Sequence, residues 1–299
     1  MPSPYLPPRE LRNIPKIGKC IYCGRTDNLT REHVVPSGMG GTVTLPKGSC
    51  TDCAEITRDI ETMCMRKTLI HVRVKHGLHQ HPKERPGSFP MTFTDYSGNE
   101  TVRHVHVSDF PNLWIMPVFE CPGILLNVKP EETRFGILHT NEGDQAAYQK
   151  LLRLPGVKSV SATSGGAENW IFARWIAKIG YCYAVALFGL ANVKSSPLVD
   201  MIRHGSKFPN YLVGGLNKLN LSVSQEFTLE PPTNEIFRVR MMDVTAADGK
   251  TYMAVYVRLL PMLQAATYIA VIGEKIQDSH SLYQNALDYE RVQLALPSR

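Results

Sequence analysis

Four of the seven cysteines stand as two C-x-x-C pairs, Cys20/Cys23 and Cys50/Cys53, with 26 residues between the pairs. Such pairing sets four thiolates where they can close a tetrahedron around one zinc ion, and metal binding then helps fold a module too small to hold a core of its own. The usual interval between pairs is about 12–20 residues, so the longer one here implies a hairpin rather than a plain loop. Cys64, Cys121 and Cys182 lie singly in apolar surroundings and read as buried thiols. The N-terminus carries four prolines in its first eight residues and no apolar run, which reads as neither a signal peptide nor a membrane anchor. The thiols are therefore expected to bind metal in a reducing cytoplasm instead of forming disulfides. Thiol redox cycling by one C-x-x-C is the rival use, and tightly held zinc would argue against it.

Charge is distributed unevenly. Residues 1–90 hold 14 Lys/Arg against 8 Asp/Glu, and residues 91–299 hold 19 against 19, so the whole net charge of +6 lies in the first third. A polyanionic partner at that end is the natural expectation. With 43% hydrophobic and 20% charged residues the chain is globular, neither disordered nor fibrous. Ile179–Ala191 is the longest apolar run, too short to span a bilayer, and is expected inside the protein.

The periodicity predicts an α+β protein. Residues 1–88 form a small zinc-stapled unit with a helix over 54–74 and a proline-broken linker over 75–87. Residues 89–299 form a larger α+β domain of open function, with a regulatory or recognition role as one option. In the second unit, Thr101–Val107, Trp114–Phe119, Thr133–Leu138 and Thr267–Ile272 read as strands, Gly143–Leu154 as a helix and Glu168–Leu190 as a long buried helix. Ile236–Thr245 and Thr251–Leu260 read as a hairpin turned at Asp248-Gly249.

Between the two knuckles stands Glu32-His33. On an extended segment neighbouring side chains point to opposite faces. Glu32 could then hold a divalent metal while His33, near neutral pKa, takes a proton from water.

The pattern C-x-x-C-G, E-H-V-V-P, G-G, C-x-x-C followed by a helix resembles the HNH endonuclease family over roughly residues 18–66. The resemblance implies a ββα-metal fold and hydrolysis of phosphodiesters in nucleic acid, DNA first. It gives His33 as general base, Glu32 as ligand of a catalytic Mg²⁺ or Mn²⁺, and Cys20, Cys23, Cys50 and Cys53 as ligands of a structural Zn²⁺. Two segments, FARWIAKIGYCYAVALFG and VRLLPMLQAATYIAVIG, are similar to the C-terminal region of uncharacterised bacterial proteins carrying such a module. The chain departs from the family where Asn often follows the last cysteine, because Ala54 stands there. Glu61, on the same helix face, is the candidate second ligand, with Glu55 and Asp59 behind it; pairing with Arg58 or Arg31 is the plain alternative. Arg31, Arg58, Arg66, Lys67, Arg73 and Lys75 are expected to meet phosphates. The rival reading is a zinc-stabilised, non-catalytic nucleic-acid-binding protein with a degenerate HNH site. No membrane partner is expected.

Overall fold

The computed structural model describes residues 11, 13–78, 86–111, 115–133, 138–140, 145–162, 168–193, 195–215, 236–261, 266–275 and 289–293. Most of the expected linker, His79 and His81 within it, and the Ser164–Gly166 approach to the long helix lie outside these residues.

The expected hairpin is present. Strands β1 (Leu29–His33) and β2 (Thr44–Cys50) pair antiparallel, with Leu29 opposite Cys50 and His33 opposite Thr44, and helix α1 (Thr51–Met63) follows at once. Gly40 and Gly41 have separate reasons to be glycine. Gly40 closes the Ser37–Met39 turn at φ +83, and a Cβ on Gly41 would stand 2.0 Å from the Val35 carbonyl oxygen.

The single helix expected over 54–74 is broken. A π turn covers Cys64–Thr68, Leu69 departs from helical geometry at φ −111, and α2 (Ile70–Lys75) resumes beyond it. Packing explains the break: Leu69 and Val72 are fully buried, and Arg73 folds back so that Nε donates to the Gly38 carbonyl at 2.9 Å. The widened turn redirects the second segment as an unbroken helix could not.

Strands β3 (Ser88–Asp95) and β4 (Glu100–His106) form a hairpin; β5 (Ile115–Pro117) pairs with β6 (Leu138–Thr140) across the short α3 (Gly123–Leu126). After α4 (Gln145–Leu152), β7 (Val157–Ser161) joins β3 to give the antiparallel order β4-β3-β7. Phe89, Met91, Phe93, Phe110, Leu151 and Val160 form the small core there.

Helix α5 (Asn169–Phe188) is the centre of the remainder. It is followed by α6 (Leu190–Val193), α7 (Leu198–His204), β8 (Val213–Gly215), β9 (Phe237–Thr245), β10 (Thr251–Leu259), β11 (Thr267–Glu274) and β12 (Tyr289–Gln293). The five strands order as β12-β9-β10-β11-β8, antiparallel except that β12 runs parallel to β9. Alternate side chains serve two faces. Val239, Met241, Val255, Val257, Ala270 and Ile272 belong to the core of α5, whereas Met242, Val244, Ala254, Tyr256, Ile269 and Val271 join Cys121 and Leu125 on the far side.

Gly180 lets α5 lie directly on β11, since a Cβ there would stand 2.7 Å from the Ala270 Cβ. The other side of α5 meets the N-terminal unit: the Tyr181 hydroxyl donates to the Ile21 carbonyl at 2.8 Å, and the Tyr22 hydroxyl lies 3.2 Å from the Cys182 sulfur. Cys20, Ile21, Tyr22, Val35, Leu45 and Ile60 share one continuous core with α5. Among the described residues α5 alone has the length and apolar composition to cross a membrane, and 78% of its apolar window is buried inside the protein.

Candidate functional site

The four cysteine sulfurs all lie within 4.8 Å of one another, with Cys23 and Cys50 3.6 Å apart. Thiolates about 2.3 Å from zinc stand about 3.8 Å from each other at the corners of a tetrahedron, so this cluster can hold a metal ion such as zinc. Local structure places each sulfur. The first knuckle is a tight turn in which the Gly24 N–H donates to the Cys20 carbonyl at 2.9 Å and the Cys20 N–H to the Arg25 carbonyl at 2.7 Å. The second opens α1, with Cys50 at the N-cap and Cys53 in the first turn. Arg25 Nη1 reaches Asp52 Oδ2 at 2.6 Å and braces the two knuckles. Burial raises the Cys20 thiol. At Cys23 burial is outweighed by the Arg25 backbone N–H and the neighbouring thiols, which leaves that thiol lowered.

Glu32 and His33 point to opposite sides of β1, as the alternation implies. Glu32 is buried and His33 half-buried. The surroundings of Glu32 are not those of an open metal site. Glu32 Oε1 lies 3.0 Å from Lys178 Nζ, and Glu61 Oε1 lies 2.6 Å from the same nitrogen. That ammonium also donates to the His33 carbonyl and stands 3.5 Å from the Val34 carbonyl. Thr57 Oγ1 donates to Glu32 Oε2 at 3.5 Å. Lys178 has no exposed surface. Four oxygens thus converge on one cation, and the cation belongs to the chain. A Mg²⁺ or Mn²⁺ ion on Glu32 at about 2.1 Å would share its ligand oxygens with a like-charged nitrogen already in place, so the residues present do not fit that ion. Ala54 offers no side-chain oxygen to compensate.

Electrostatics follow the geometry. Burial pushes the Glu32 carboxyl above its usual range, partly offset by Lys178. Burial alone would lower Lys178, but Glu61 and then Glu32 outweigh it and hold the ammonium well above the ordinary lysine value. Burial, followed by the charge of Lys178, lowers His33, so its imidazole is neutral at pH 7.

Of the cations expected at phosphates, Arg31, Arg58, Arg66 and Lys67 are exposed on the N-terminal unit. Arg73 and Lys75 do not join them. Arg73 is buried against Gly38, and Lys75 Nζ donates to the Phe110 carbonyl at 2.7 Å. Glu61 pairs with Lys178, not with Arg58 or Arg31, while Arg58 lies 3.7 Å from Asp59. His71 is buried between Phe89 and Phe110, with ring centroids 4.5 and 4.7 Å away, as an aromatic core residue. Trp175, Tyr181 and Tyr183 are fully enclosed on α5.

Lys178 is the residue that pattern reading passes over. Its signal is present all the same: a lysine inside a helix apolar on nearly every side must find an anion. Comparison with models of known families, with curated proteins and with solved structures gave no match.

Proposed function

We propose that the chain is a nucleic-acid-binding protein, for DNA first, built on a zinc-stapled ββα module of HNH type that does not hydrolyse phosphodiesters. The observation that carries this reading is the ammonium of Lys178 between Glu32 and Glu61. It neutralises the carboxylate on which a catalytic ion would depend, and with no exposed surface it cannot itself touch a phosphate. Zinc on Cys20, Cys23, Cys50 and Cys53 fixes the hairpin to the start of α1. Arg31, Arg58, Arg66 and Lys67 supply phosphate contacts that position the module without reading bases.

Electrophoretic mobility shifts on duplex DNA across a salt series test it. Binding should weaken as salt rises, and each exposed cation that meets a phosphate should, when changed to alanine, flatten the slope of log K against log salt by about 0.9. Absence of salt-sensitive binding refutes the reading.

The half-exposed, neutral imidazole of His33 favours a second reading, metal-dependent phosphodiester hydrolysis with His33 as base. It requires Lys178 to withdraw. Plasmid nicking that needs Mg²⁺ or Mn²⁺ and disappears in a zinc-retaining His33→Ala protein would replace the first reading by this one.

A further inference from the structure

Strand β4 (Glu100–His106) lies at the edge of the sheet β4-β3-β7, and among the described residues it has no second neighbour. Proteins commonly disarm such an edge with lysine, proline or a bulge, because its free N–H and C=O groups invite another strand. None of these is present in β4: its register with β3 runs unbroken from His106 opposite Ser88 to Glu100 opposite Thr94. Its one arginine lies back on its own sheet, with Arg103 Cζ 4.9 Å from the centre of the Phe93 ring. Every residue of β4 except Val105 is exposed, and Val102 presents an apolar side chain 67% open to solvent.

The ladder fixes which backbone groups are free. The Val107 N–H donates to the Gly87 carbonyl at 3.0 Å, and the Asp95 N–H to the Asn99 carbonyl at 3.0 Å. Hydrogen-bonded pairs alternate along an antiparallel ladder, so the odd-numbered residues of β4 bond to β3. The N–H and C=O of Glu100, Val102, His104 and His106 therefore face outward. Their side chains stand on the face of the sheet opposite the core of Phe89, Met91, Phe93 and Val105.

We propose that β4 is the contact strand of a homodimer, pairing antiparallel with β4 of a second copy about a two-fold axis at Val102. Self-complementarity selects both the partner and the register. A two-fold axis normal to the sheet sets one residue of the strand opposite itself. Centred on Val102, the two exposed valines meet, and Glu100 of each chain stands opposite His104 of the other, carboxylate against imidazole. Each of these pairs exchanges both of its outward backbone hydrogen bonds. Centring on Arg103 would oppose two guanidinium groups; centring on Thr101 would set Glu100 against Val102, and on His104, Val102 against His106. One strand against one strand buries less than about 1,200 Å², the lower end of a standard interface, so the dimer is weak and forms at micromolar or higher concentration.

Sedimentation equilibrium of the zinc-loaded full chain, across a concentration series reaching hundreds of micromolar, tests this with wild type, Val102→Pro, His104→Glu and Glu100→Lys/His104→Glu. Wild type should associate reversibly from monomer to dimer. Val102→Pro removes an outward N–H and no bond to β3, at an edge where proline is tolerated. It should keep its circular dichroism and associate at least about tenfold more weakly. His104→Glu sets carboxylates against each other across the axis and should weaken association too; adding Glu100→Lys restores opposite charges and should recover it. A wild type that stays monomeric throughout overturns the proposal and leaves the edge to some other extended chain. A dimer that folded Val102→Pro leaves intact overturns it as well. Should Val102→Pro fail to fold, the charge pair decides: no loss in His104→Glu, or a loss that Glu100→Lys does not recover, refutes the register and the contact. None of these outcomes depends on nucleic-acid binding.

Discussion

Replacing Lys178 by methionine nearly keeps its volume and removes its charge. At an effective dielectric of about 20, an ammonium 3.0 and 2.6 Å from two carboxylate oxygens gains about 6 kcal/mol from each. Desolvation takes back several kcal/mol per ion, so the intact cluster contributes little net stability. Breaking it is different, because Glu32 stays inside without a counter-charge; the expected loss for Lys178→Met is about 3–5 kcal/mol. Glu61→Gln leaves Lys178 paired with Glu32 and should cost about 1.5–3 kcal/mol, the range for a hydrogen bond to a charged group. Because the two residues touch, the double variant should fall short of the sum by about 1–3 kcal/mol. Urea unfolding of the zinc-loaded proteins at pH 7, followed by tryptophan fluorescence, reads all three. Additivity within about 0.5 kcal/mol, or a Lys178→Met loss below about 1 kcal/mol, would refute the assignment of Lys178 as the partner of both carboxylates.

Other outcomes follow from the same geometry. Metal should be recovered as one tightly held zinc per chain. Its binding free energy of about 10–16 kcal/mol rivals the stability of a whole domain, so a strong chelator should lower the denaturant midpoint sharply, whereas an unchanged midpoint would show the four sulfurs to be structurally idle. Gly41→Ala forces a methyl against the Val35 carbonyl and should cost about 1–3 kcal/mol with partial loss of zinc; a neutral substitution would contradict the close approach. His33 has a folded-state pKa below its unfolded value, so its contribution to stability is present above about pH 6.5 and is lost as pH falls through the lower folded value. Midpoints measured at about pH 7 and about pH 5 should therefore fall further in wild type than in His33→Gln, and equal slopes would dispose of the shift.

What pattern reading reaches is local. The cysteine pairs and Gly40-Gly41 announce the hairpin and the helix behind it, the apolar run announces α5, and Asp248-Gly249 announces the β9–β10 turn, where Asp248 Oδ1 accepts the Lys250 N–H at 3.0 Å. Strand β3 is harder to see because Pro90 stands inside it. The structure tolerates that proline because β7 pairs only with Thr92–Asp95 and leaves the proline end of β3 bonded on one side. The break at Leu69 is hidden for another reason: apolar spacing continues across it, and the cause is Arg73 bonding to Gly38, 35 residues earlier. The Lys178 cluster is least legible. Its partners stand 117 and 145 positions away at Glu61 and His33, and no window of sequence holds both ends.

The position of α5 bears on how this molecule can be taken apart. Ile21, Tyr22, Val35 and Leu45 press on one flank of that helix and the five-stranded sheet on the other. A fragment cut after residue 78 would therefore present an oily flank to water and strand two carboxylates without their counter-ion. The cysteine-bearing segment is thus no portable cassette to be grafted onto a foreign scaffold; its fate is tied to a helix that arrives more than ninety residues later.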